Sequence, residues 1–140
     1  ILAVSRDPAL RSFASTHLET EQKHLELFDT WLPKEDKSRL LLLWSVSGYL
    51  LGAFAGLISK RLTYYTIEIV EQFVVGHYES QILTAPRDLR EILLQLQAEE
   101  KEHQLEAKTL QDDSQNQVPK LWGMVVDAGS RLAVNVARLI

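Results

Sequence analysis

Apolar positions recur mostly at helical spacing along this chain, and polar runs divide it into five predicted helices. Asp7-Pro8 has the form of an N-cap followed by proline in a first helical turn. From there Leu10, Phe13, His17, Glu21, His24, Phe28 and Trp31 return every three or four residues. Pro33 and the polar run Lys34 to Ser38 end that helix. Residues 40–59 form a second, uncharged segment. Thr63 to Leu83 predicts a third helix, stopped by Thr84-Ala85-Pro86. Arg87 to about Gln111 predicts a fourth, highly charged helix with Leu89, Ile92, Leu93, Leu96 and Leu105 on its apolar side. Asp112 to Gln117 reads as a polar loop, and Val118 to Ile140 as a last, mostly apolar helix with Pro119 in its first turn. Residues 1–5 read as the tail of an earlier helix. No segment alternates with the period of a strand, so the pattern predicts an all-α, antiparallel helix bundle in a single domain over residues 1–140.

The second segment, LLLLWSVSGYLLGAFAGLIS, runs for 20 positions without a charge between Arg39 and Lys60-Arg61. That is close to the length that crosses a hydrocarbon core of ~30 Å. Ser45, Ser47, Gly48, Gly52 and Gly56 dilute its hydrophobicity. Three placements therefore fit it: a buried bundle helix, a helix lying in a membrane interface, or a true span.

Composition narrows the chemistry. The chain has 140 residues, 46% of them hydrophobic, with six Gly and four Pro, which favours helix over sheet. It has no cysteine, so disulfides, thiolate metal sites and cysteine nucleophiles are excluded. Net charge is −4 with no basic block, which argues against nucleic acid as a partner. No P-loop or GxGxxG spacing appears. The sequence opens on Ile-Leu-Ala-Val rather than Met, so further residues are expected upstream.

Chemistry concentrates in a repeated pattern. Glu21-Gln22-Lys23-His24 and Glu100-Lys101-Glu102-His103 each place a glutamate three residues before a histidine in a predicted helix. Positions i and i+3 share a helix face, so each pair can point at one object. Carboxylate plus imidazole suits a divalent transition metal such as iron or manganese. Bundles that hold two irons through two Glu-x-x-His helices take one further inward Glu from each of two other helices. The third helix offers such a residue in TIEIVEQFVVGHY, where Glu68 or Glu71 serves equally well on spacing alone. The remaining glutamate would fall in the helix whose tail is residues 1–5. His17, four residues before Glu21, is placed to act as a supporting partner of that site.

Three stretches resemble the demethoxyubiquinone hydroxylases of ubiquinone biosynthesis, which are ferritin-like di-iron monooxygenases. LETEQKHLELF is similar to the family's first E-x-x-H segment, and LWSVSGYLLGAFAGLISK to its glycine-dotted LW-x-V-x-G helix. VEQFVVGHYESQI followed by AEEKEHQLEA resembles its V-E-x-x-x-x-x-H-Y-x-x-Q-I and E-E-x-E-H segments. The resemblance implies a ferritin-like bundle with additional apolar helices at the membrane interface. It implies two Fe ions held by Glu21, His24, Glu71, Glu100 and His103, with Glu21 and Glu100 bridging, and favours Glu71 over Glu68. The family's first glutamate would lie roughly ten residues before Ile1. His77 and Tyr78 are implied to lie near the substrate and the electron-entry route. The implied substrate is a polyprenyl quinone, demethoxyubiquinone or its quinol, hydroxylated with O2 and electrons from NADH. The implied location is peripheral, on the cytoplasmic face of a bacterial inner membrane or the matrix face of the mitochondrial inner membrane. A lipid-binding partner protein and a homo-oligomer are both compatible with this. Two other readings fit parts of the pattern: a ferritin-like di-iron peroxidase or oxidative-stress protein, and a metal-free, membrane-associated helical scaffold.

Overall fold

The computed structural model describes residues 1–111 and 120–139, and every regular element among them is helical. Helix α1, Pro8–Trp31, starts where the Asp7 carboxylate accepts the Leu10 N–H at 2.8 Å, with Pro8 in the first turn. That backbone hydrogen bond, first, and then the Lys60 ammonium 3.3 Å away hold the Asp7 carboxyl below its ordinary pKa. The helix buries Leu10, Phe13, Ala14, His17 and His24, a stripe at three- and four-residue spacing. It stops at Leu32, which is extended ahead of Pro33. A short 3-10 turn, Lys34–Asp36, leads to α2, Leu41–Ile58.

One residue separates α2 from α3. Ser59 is extended (φ −166°, ψ 155°), closing α2 through its N–H to Ala55. Its hydroxyl then accepts the Leu62 N–H at 3.0 Å, so the same residue opens the next helix. Helix α3 accordingly spans Lys60–Ile82, starting three residues before the predicted Thr63. Helix α4 spans Arg87–Thr109 and α5 spans Lys120–Ala137. The expected polar loop 112–117 and the helix start at Val118 and Pro119 lie outside the described residues. Residues 1–5 form a turn in which Ile1 O accepts the N–H groups of Val4 and Ser5.

The chain divides into two compact units, Ile1–Thr63 with Ala133–Ile140, and Tyr64–Leu132. In the first, Arg11 donates to the carbonyl of Ser5 at 3.1 Å, tying the opening turn to α1. Gly52 and Gly56 let that turn approach α2: a Cβ on Gly56 would sit 3.1 Å from Val4 Cγ2, and one on Gly52 3.4 Å from Ile1 Cγ1. Elsewhere around α2, Leu42, Leu50 and Leu57 are 77%, 59% and 70% exposed, and Ala55 is its one buried residue. Of the three placements open to this segment, the buried bundle helix does not fit these exposures. The large side chains of α2 face outward because its glycines and alanine take the packed side.

In the second unit α3 and α4 run antiparallel. Gln97 Nε2 donates to Val75 O at 3.1 Å, and at the other end Gln111 Nε2 donates to Glu68 Oε2 at 2.7 Å. Helix α5 runs parallel to α3. Trp122 Nε1 donates to Thr66 Oγ1 at 2.9 Å near its start, and the Arg131 guanidinium lies over the Phe73 ring further along. Gly123 permits this approach, since any Cβ there would collide with the Tyr65 hydroxyl and lie 3.0 Å from Cζ. Replacing Gly123 by Ala gains ~1 kcal/mol of helix propensity but overpacks the contact at a cost of about 1–3 kcal/mol. Thermal unfolding of the G123A variant is therefore expected a few degrees below the parent, with part of the loss recovered by adding Tyr65→Phe. A G123A variant more stable than the parent would rule out this close approach.

Candidate metal centre

The stripe that α4 buries is Leu93, Leu96, Glu100, His103 and Ala107. A carboxylate is out of place in such a stripe, since burying an ionised acid is costly without a compensating charge or hydrogen bonds. Glu100 is nonetheless 3% exposed. His103 sits one turn on, with Nδ1 3.4 Å from Glu100 Oε2. That separation is beyond an ordinary N–H···O bond. It suits two donors around one ion, each about 2.0–2.2 Å from the metal.

Glu71 of α3 joins them. Glu71, Glu100 and His103 each offer a ligand atom within 4.8 Å of the others'. Glu68, one turn earlier, lies outside that group and accepts from Gln111 instead. The two glutamates that spacing left equivalent therefore take different surroundings. Glu71 meets a second carboxylate and an imidazole, whereas Glu68 meets a neutral amide.

Helix α1 repeats the geometry in the other unit. His24 is buried, with Nδ1 3.7 Å from Glu21 Oε2, while the Glu21 side chain is 47% exposed. Both Glu-x-x-His pairs thus turn the same imidazole nitrogen toward their own carboxylate. His17 is buried one turn before Glu21 and packs on Phe13, ring centroids 4.0 Å apart. The donor set is carboxylate with imidazole, fitting iron or manganese better than calcium, which prefers oxygen alone, or the thiolate-bound metals.

Tyr78 is buried, and it falls close to Glu71's side of α3 at about 100° per residue. His77 is half-buried and stacks on Phe73, centroids 5.9 Å apart and 12° between planes. Phe73 in turn lies 5.8 Å under Arg131. The sequence did not single out Phe73, Arg131 or Gln111. Each is one more apolar, basic or amide residue on a helix that has several, and nothing in their spacing marks a tertiary partner.

The family model for "Ubiquinone biosynthesis protein COQ7" matches residues 1–137 of the chain. No curated protein and no solved structure matches it to a significant degree.

Proposed function

The chain belongs to the COQ7 family of ubiquinone biosynthesis proteins, and from that premise we propose that it hydroxylates the ring of demethoxyubiquinone or its quinol with O2 and electrons from NADH. The family is ferritin-like, di-iron in type, and has a hydroxylase role in making ubiquinone. The observation that carries the reading is Glu71, Glu100 and His103 converging within 4.8 Å. By the family resemblance Glu21 and His24 would hold metal as well. Iron bound there would supply O2 activation and delivery of one oxygen atom to a ring carbon.

The chain's own residues have definite tasks in this reading. Glu71 and Glu100 would supply the negative charge that bound iron needs, and His103 and His24 would offer imidazole nitrogen through Nδ1. Leu93, Leu96 and Ala107 keep water away from the buried carboxylate. His77 and Tyr78 are assigned to the approach of the quinone ring. A polyprenyl quinone stays in a bilayer, so the enzyme has to meet it there. Helix α2, whose hydrophobicity and 18 residues would suffice to cross a membrane, is the surface for that encounter.

Quinone extracts from a strain deprived of this gene test the assignment. Accumulation of the demethoxy precursor, reversed by restoring the gene, is expected. Normal ubiquinone with no precursor would defeat the hydroxylase and favour a peroxidase of the same donor set.

A further inference from the structure

Between α3 and α5 lies a solvent-open cleft of about 420 Å³. This is within the range of about 300–1,000 Å³ usual for small-molecule sites. Its α3 wall consists of Tyr65, Ile69, Gln72 and Phe73. At about 100° per residue these fall roughly 100–200° around the helix from Glu71. The cleft therefore shares no residue with Glu71, Glu100 and His103.

Four of the five polar side chains at this cleft, Tyr65, Gln72, Lys120 and Arg131, can donate hydrogen bonds. Arg131 gives only its Nε to Asp127, at 2.8 Å, leaving both terminal nitrogens unengaged among the described residues. Its guanidinium is steadied 5.8 Å over the Phe73 ring. The Gln72 amide, the Tyr65 hydroxyl and the Lys120 ammonium make no hydrogen bond among the described residues. Asp127 is the one acid in the lining, and its ion pair with Arg131 is exposed (40% and 65%) and so weakly held. Lys120 and Arg131 against Asp127 leave one surplus positive charge, on a chain whose net charge is −4. Ile69 and Met124 give the cleft an apolar surface.

We propose that this cleft binds a flat organic anion, an aromatic ring carrying one carboxylate or phosphate. The acid group takes the terminal nitrogens of Arg131 and the Gln72 amide, and the ring lies along Ile69 and Met124. Lys120 is eleven residues from Arg131, roughly 16 Å along the helix. It therefore attracts the anion at a distance without binding the same acid group. The site goes beyond the hydroxylase reading and needs no metal.

Calorimetric titration of the intact protein tests it with 2-naphthoate, 2-naphthyl phosphate and the neutral 2-naphthalenemethanol. At least one anion is expected to bind at least about tenfold more tightly than the alcohol, the size of one charge-assisted hydrogen bond. The ratio of the two anions distinguishes a carboxylate ligand from a phosphate ligand. Arg131→Gln should weaken the anions about tenfold and leave the alcohol unchanged, while Lys120→Gln should cost less than about threefold. Circular dichroism checks that the variants fold; if R131Q does not, Met124→Trp, which fills the cleft from an exposed position, must abolish anion binding. Equal binding of acid and alcohol, no binding of either anion at millimolar concentration, or an R131Q or M124W protein that binds like the parent would overturn the site.

Discussion

Replacing Glu100 by glutamine is expected to strip the intact protein of most of its iron and to reduce ring hydroxylation by more than about a thousandfold, while raising the melting temperature of the metal-free form. The opposite signs follow from one geometry. Without a cation, Glu71 and Glu100 bring two carboxylates within 4.8 Å, and Glu100 is almost wholly buried. Like charges so close disfavour each other's ionised forms. A neutral amide of the same shape relieves that repulsion, so the apo variant gains stability. With a cation the balance reverses, because a neutral amide oxygen is a poor substitute for a carboxylate ligand. A metal held at a hundred times its Kd stabilises the parent by about 2.7 kcal/mol, and the variant should show almost none of this. Iron content and melting curves with and without Fe(II) check both halves. A Glu100→Gln protein that binds its full iron and melts like the parent in both conditions would remove Glu100 from the site. Glu68→Gln is the internal control. Its carboxylate faces Gln111 rather than the cluster, so iron content should be unchanged.

How much of this was written in the sequence depends on whether the signal was local. Asp7-Pro8 and Pro33 fixed α1 because capping and proline act through the neighbouring backbone. The start of α3 was missed by three residues for the opposite reason. Ser59 breaks the helix by one extended residue, and a serine followed by Lys60-Arg61 is equally at home inside a helix. Each Glu-x-x-His pair was legible because helical periodicity alone puts its two members on one face. Spacing alone left Glu68 and Glu71 equivalent and only the family resemblance favoured Glu71; what separates them in the fold is Glu71 beside Glu100 and His103 and Glu68 beside Gln111. The cleft beside α5 left no trace at all. It depends on Gly123 meeting Tyr65 and on Arg131 lying over Phe73, contacts between helices more than fifty residues apart. Helix α2 is the intermediate case. Its apolar length was plain, yet a helix apolar on every side carries no periodicity to say which face is packed.

The packed face of α2 is the small one, and this makes its proposed membrane role testable by substitution. At about 100° per residue, Leu42, Val46, Leu50 and Leu57 fall within roughly 80° of one another, while Gly52, Ala55 and Gly56 centre roughly 130° away around the helix. The outward residues are all between 47% and 77% exposed. Monomeric soluble proteins rarely leave contiguous apolar patches above a few hundred Å² in water. Leaving a Leu side chain exposed rather than buried forfeits about 1.5–3 kcal/mol. An aspartate at hydrocarbon depth costs about 2.5–3.5 kcal/mol, and somewhat less nearer the interface. Leu42→Asp, Leu50→Asp and Leu57→Asp together should therefore weaken liposome binding by well over a hundredfold, at 1.4 kcal/mol per factor of ten. All three are more than half exposed, so helix content and Glu100-dependent iron binding should survive. Sedimentation with quinone-loaded vesicles reads the binding, and turnover on a short-chain, water-soluble quinone reads the site. The triple variant should lose the lipid and keep the short-chain reaction. If it still sediments with vesicles like the parent, α2 is not the surface that meets the bilayer, and the quinone must enter by another face.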